Sequence, residues 1–208
     1  MKVTRGSGLL ELFLAKRRSA IARKLLNQSN LSNQSGTGKR ILDLGCGRTA
    51  FFLSTAGSGF KEKYALDRLP LSTRAPPGIG IIFQQFDLEE ERKLPFKDDF
   101  FEAATLLAVA EHLRRERLVP LLKEIKRVLA PGGQVIVTTP CSWTSPLLSL
   151  MARLRLVSSE EIAEHRAGYT PKALSGCLAQ AGFSPEAIKT GYFEFGLNSW
   201  VAATKREP

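Results

Sequence analysis

The chain has 208 residues, 43% hydrophobic and 24% charged, an ordinary globular composition with enough apolar surface for one core. Its net charge of +10 is uneven: residues 1–40 hold nine Lys/Arg and one acid, +8, which leaves +2 for the rest. No apolar run approaches the roughly 18 residues of a membrane span, no signal-peptide pattern opens the chain, and three scattered cysteines (Cys46, Cys141, Cys177) argue against a disulfide framework or a metal site, so the sequence reads as a cytoplasmic protein.

Residues 8–26 predict a basic amphipathic helix, with Leu10, Phe13, Leu14, Ile21 and Leu25 at helical spacing. The Asn/Ser/Gln/Gly-rich stretch 27–38 predicts a linker, so residues 1–38 read as an arm and 39–208 as the domain. Strands follow at 40–44, 63–67, 81–86, 103–109 and 134–139, with a helix over 50–56 and another over 117–129. The last carries Leu118, Leu121, Leu122, Ile125 and Leu129 on one face and is broken by Pro131-Gly132-Gly133. The near-continuous apolar run 103–109 suits a central buried strand.

Strands alternating with helices predict an α/β fold, a Rossmann-like doubly wound sheet, mostly parallel. Thr170-Pro171 opens a helix that stops at Gly182, and two strand-like runs, 187–195 and 197–204, are too close for a helix between them. They form an antiparallel C-terminal edge hairpin, which makes seven strands. Residues 140–169 far exceed the usual connection of about 2–6 residues and predict a helical lid insert over the strand ends.

Ile41–Gly47 is strand, tight glycine loop, then helix. Gly45 and Gly47 let the backbone turn sharply and approach a ligand, at the strand ends where parallel sheets bind them. Gly45-Cys-Gly47-Arg-Thr-Ala50 also fits the loose dinucleotide pattern. Asp43 decides between ligands. Two residues before the first glycine, its carboxylate would repel a dinucleotide's phosphates and attract the sulfonium and ammonium of S-adenosylmethionine. Asp67, at the end of the second strand, suits the ribose hydroxyls of either.

These segments resemble the class I S-adenosylmethionine-dependent methyltransferases of the broad small-molecule type. Ile41–Gly47 is similar to the family's first motif, Tyr64–Asp67 to its second and Phe86-Asp87-Leu88 to its third. Leu107–Leu113, with Glu111-His112, is similar to its fourth-strand motif, 127–133 to the turn before the fifth strand, and Thr170–Phe183 to the following helix. The resemblance covers about residues 39–204. It implies that S-adenosyl-L-methionine is held by Asp43, Gly45, Cys46, Gly47, Asp67, Arg68, Asp87, Leu88 and Ala108, with the adenine at Asp87 and the Leu88 N–H. One departure is Thr49, where the family often has a third glycine; Thr disfavours positive φ.

A sulfonium already activates its methyl group, so the protein must align, exclude water and, for a hydroxyl nucleophile, supply a base. The candidate bases are His112, after the fourth strand, and His165 in the insert, with Tyr169 to orient an acceptor. The expected acceptor is a small molecule or a lipid-linked group, methylated on O or N. The basic arm also fits an RNA substrate or an anionic membrane surface, and a non-catalytic cofactor-binding module is a further alternative. Pro140-Cys141 resembles the nucleophile of cytosine-C5 enzymes, but those carry a second Pro-Cys after the fourth strand, where this chain has Ala110-Glu111.

Overall fold

The computed structural model describes residues 11–28, 39–55, 59–72, 80–144 and 168–206. Among these residues, four α-helices, α1 (Glu11–Gln28), α2 (Phe51–Thr55), α3 (Arg115–Val128) and α4 (Pro171–Gln180), pack with seven strands. These are β1 (Arg40–Leu44), β2 (Glu62–Asp67), β3 (Ile81–Gln85), β4 (Phe101–Leu107), β5 (Leu129–Pro140), β6 (Ile188–Phe193) and β7 (Asn198–Thr204). They form one sheet in the order β3-β2-β1-β4-β5-β7-β6, parallel except for β7, which runs antiparallel to both neighbours. The doubly wound sheet and its edge hairpin are as expected. The chain starts mid-sheet at β1, moves out to β3 and returns at β4. That reversal opens a crevice at the carboxyl ends of β1 and β4.

Each face of the sheet buries its own cluster. On one, α3 lays Leu118, Leu121, Leu122, Ile125 and Val128 against β4 and β5, joined by Leu174 and Leu178 of α4. Each such side chain contributes about 1.5–3 kcal/mol when fully buried. On the other, Ala22, Leu25 and Leu26 of α1 pack with Phe52 and Leu53 of α2, Ile41, Ala103 and Ile136. Thus α1, expected in the arm before residue 39, shares a core with the sheet, and its apolar face differs from the sequence pattern. Leu25 is buried as expected, but Phe13 is 55% exposed. The buried stripe uses small Ala22 and Ser19, which let the helix approach the sheet closely.

Two boundaries also differ. The Pro131-Gly132-Gly133 segment does not precede β5 but lies within it: Leu129 already pairs with Phe101, and pairing resumes at Ala103 with Gln134. The extra residues bulge out, with Gly132 at φ 77°. β4 stops at Leu107, two residues early, because Ala108 takes φ 55° and leaves the ladder. Thr170 caps α4 as predicted, its hydroxyl accepting from the Ala173 N–H at 3.2 Å. No helix among the described residues is long and apolar enough to cross a membrane.

Candidate active site

The glycine loop follows directly from β1. Gly45 has φ +72°, and a Cβ there would lie 2.5 Å from Val109 Cγ2, so the loop sits against the residue just past β4. The Gly45 and Cys46 N–H groups both donate to the Leu66 carbonyl, at 2.8 and 3.1 Å, pinning the loop to β2. Gly47 also has positive φ, +68°, but a Cβ there would meet nothing within 4 Å. The loop therefore turns one glycine into the protein and leaves open space before the other. Thr49 is not in the left-handed region; Ala50 takes it instead, with φ 43°, so the strain moves one residue on.

Carboxylates stand at three successive strand ends. Asp67, half-buried, accepts from the Gly47 N–H and from the Leu69 N–H, both at 2.9 Å. A carboxylate offers about four lone-pair sites, so acceptor capacity remains for two ligand hydroxyls. Asp87, also half-buried, accepts from the Glu89 N–H at 2.8 Å beside buried Leu88. Asp43 is 2% exposed and accepts from the Thr105 hydroxyl at 2.6 Å. Burial pushes its carboxyl up to about 7 against the opposing Thr105 hydrogen bond, and the charge of Asp67 adds to the rise. It braces β1 on β4 as well as facing the loop. This donor set is rich in carboxylate and open in front of Gly47, which fits a cationic, phosphate-free ligand.

The remaining candidates divide. Cys46 is buried under the loop, its thiol pushed up by burial and then by Asp43 and Asp67, so it is a packing residue and not a reactive thiolate. Arg68 is exposed beside Asp67. Ala108 donates to the Thr138 carbonyl at 2.9 Å, which holds its left-handed turn at the end of β4. His112 closes a short 3-10 turn, Ala110–His112, at that same end and is half-buried. Tyr169 is 5% exposed and bridges to Cys141 just past β5. Both roots of the long insert therefore meet at the carboxyl edge of the sheet. The Tyr169 hydroxyl has no hydrogen-bond partner among the described residues, and burial raises its pKa, so it stays neutral. His165 and most of the expected lid, 145–167, lie outside the described residues. No group of three His, Cys, Asp or Glu among the described residues could hold a metal ion. Surface clefts lined by Asp98, Asp99, Lys126, Arg127 and Lys205 lie at the opposite edge, before β4. Arg127 and Lys205 are held in ion pairs, Arg127–Asp98 at 2.7 Å and Lys205–Asp99 at 2.6 Å, and Lys126 donates to the Gly182 carbonyl, so they do not compete as the site.

A family model described as a methyltransferase domain matches residues 13–188, from within α1 to the start of β6. The chain belongs to this family. A mouse protein named Probable tRNA methyltransferase 9B is 44% identical over 45 residues, 21% of this chain and only a tenth of that relative's length. A solved S-adenosylmethionine-dependent methyltransferase from Archaeoglobus fulgidus superposes with a TM-score of 0.65 at 17% identity, over 93% of this chain and 98% of that one. Human N-acetylserotonin methyltransferase in complex with S-adenosylmethionine superposes at 0.60, also 17% identical, over 93% of this chain and 57% of that one.

The methyltransferase also uses side chains that motif spacing does not expose. Arg117 of α3 is buried, donates from Nε to the Leu88 carbonyl at 2.6 Å, and donates from its guanidinium to the Glu91 carbonyl. It straps the loop carrying Asp87 to the helix. A cation on the apolar face of a predicted helix is the one trace of this role in the sequence. Arg117→Met keeps most of the stem and strands the buried Leu88 carbonyl and the partly buried Glu91 carbonyl. It is expected to lose about 1–3 kcal/mol of stability, read as a lower urea midpoint at unchanged slope.

Proposed function

We propose that the enzyme transfers the methyl group of S-adenosylmethionine to an oxygen or nitrogen nucleophile of a small-molecule or lipid-linked acceptor, at the carboxyl ends of β4 and β5. The observation that carries this reading is the row of carboxylates at the ends of β1, β2 and β3, beside the open space at Gly47. Asp67 takes the ribose hydroxyls with its spare lone pairs, Asp87 and the Leu88 N–H take the adenine, and Asp43 supplies negative potential beneath the loop. Gly45, Cys46, Arg68 and Ala108 complete the wall. When bound, the donor supplies an already activated methyl group. The protein's part is to align the acceptor, exclude water and accept a proton where the nucleophile is a hydroxyl. His112 at the end of β4 is the base among the described residues, and His165 is the other candidate. Neutral Tyr169 is a hydrogen-bond donor that orients the acceptor.

Asp67→Ala is expected to weaken S-adenosylmethionine binding by about 1–3 kcal/mol, since it unpairs ligand hydroxyls and releases the Gly47 N–H. Titration calorimetry checks it: unchanged affinity with an intact fold rejects the ribose assignment. A second reading, an RNA acceptor, is favoured by the local identity to a tRNA methyltransferase and by the basic helix α1. Methyl transfer to RNA with affinity that falls steeply as salt rises would select it.

A further inference from the structure

The carboxyl edge of the sheet carries large apolar side chains that the protein does not cover. Leu12 and Phe13 are 56% and 55% exposed on the first turn of α1, Trp143 is 61% exposed just past β5, and Phe195 is 105% exposed in the β6–β7 turn. Two contacts bring these three places together. The Cys141 N–H donates to the Leu197 carbonyl at 2.9 Å, which joins the end of β5 to the turn. Arg17 reaches Glu194 at 3.8 Å, which joins α1 to the same turn. So one rim, on the edge that holds the glycine loop, presents an aliphatic and three aromatic side chains. Behind it α1 carries Lys16, Arg17, Arg18, Arg23 and Lys24 against the single acid Glu11, a net +4.

The turn itself is built at a local cost. Gly196 donates to the Phe193 carbonyl at 3.2 Å, and Glu194 and Phe195 both have positive φ, 53° and 56°. This is the geometry of a hairpin turn that favours Asn-Gly, yet it holds a phenylalanine pointing clear of the protein. Such strain persists only where the surrounding structure holds it, and it clusters at functional contacts.

We propose that this rim docks on an anionic lipid surface, with Phe13, Trp143 and Phe195 inserted at the headgroup boundary and the α1 cations on the phosphates. Aromatic rings and a leucine backed by a basic helix face match the amphipathic pattern of interfacial binding, and the charge is complementary to an anionic leaflet. Nucleic acid is the weaker fit: Leu12 has no face on which a base stacks. The inference rests on the acceptor site lying at the carboxyl edge, and it makes the acceptor an amphiphile presented by the bilayer.

The test is flotation and tryptophan emission of the full chain with vesicles of phosphatidylcholine, alone or doped with phosphatidylglycerol. Binding is expected only with the anionic lipid, with a blue shift absent from Trp143→Phe, and it should weaken as salt rises. Phe13→Asp combined with Phe195→Asp should lower vesicle affinity about ten- to a hundredfold, the loss of two partly inserted apolar side chains. Phe195→Gly should raise the melting temperature while lowering vesicle affinity, because it relieves the turn and removes an anchor. No binding to anionic vesicles overturns the proposal, as does binding indifferent to the Phe13/Phe195 double variant. So does rim-dependent binding to tRNA instead of vesicles. S-adenosylmethionine affinity, measured on the same protein, separates the two readings: vesicle binding without cofactor binding breaks the proposed function, and cofactor binding without vesicle binding breaks only the docking surface.

Discussion

Gly45→Ala is expected to destabilise the fold by about 2–5 kcal/mol. The residue has φ +72°, where a non-glycine pays about 1–2 kcal/mol. Its new methyl group would also stand 2.5 and 3.1 Å from the two Val109 methyls, and overpacking of that kind costs about 1–3 kcal/mol. Gly47→Ala serves as the internal control. It has the same sign of φ but meets nothing within 4 Å, so it should lose only the conformational part of the stability, and on the proposed site it should weaken S-adenosylmethionine binding. The clash has a partner that can be removed: Val109→Ala on the Gly45→Ala background should recover part of the loss. Urea midpoints of the parent, Gly45→Ala, Val109→Ala and the double variant close the cycle. If the double variant is no more stable than additivity predicts, the loop is not braced on Val109.

The frame of the fold was legible because its signals are local. The apolar run of β4, the leucine face of α3, the Thr-Pro start of α4 and the short spacing of the last two strands are all short-range signals, and each element formed, although β4 spans Phe101–Leu107 where 103–109 was expected and Leu129 opens β5 instead of closing α3. Failures came where tertiary contact chose between local options. α1 buries Ala22 and Ser19 in preference to Phe13, since a helix laid on a sheet gains most where small side chains allow close approach. β5 absorbs Pro131-Gly132-Gly133 because Gly132 and Gly133 exchange backbone hydrogen bonds with Lys205, which holds the bulge in the sheet.

The layout of the candidate site was legible only in part. Asp43 and the loop glycines Gly45 and Gly47 are sequence neighbours and carry their chemistry in their spacing, and Asp67 and Asp87 each follow a recognisable strand. Their supports are not neighbours: Thr105 lies 62 residues from Asp43, and Arg117 lies 29 residues from Leu88. Each leaves one faint mark, a hydroxyl inside the apolar run of β4 and a cation on the apolar face of α3. Such marks become meaningful once β1 is known to pair with β4 and α3 to cover the β3–β4 connection.

The Asp43–Thr105 pair leads to the second large effect. The Asp43 carboxyl titrates near about 7 in the folded protein against an ordinary 3.8, chiefly because it is buried. Between those values the folded state holds a proton that the unfolded chain has lost, so the stability contributed by this group falls as pH rises from about 4 to about 7, and the penalty is complete above that. Asp43→Asn keeps an oxygen for the Thr105 hydroxyl and removes the charge. It should match the parent protein near pH 4 and exceed it by about 2–4 kcal/mol near pH 8. Cofactor binding should move the other way, because the negative potential beneath the loop is lost. Asp67→Asn should flatten part of the same pH dependence, since the Asp67 charge contributes to the raised pKa. Denaturant midpoints of the three proteins across this range, with S-adenosylmethionine titrations near neutral pH, measure both signs. Parallel stability curves for the parent and Asp43→Asn would mean that Asp43 is solvated or paired with a cation, and its role beneath the loop would have to be reassigned.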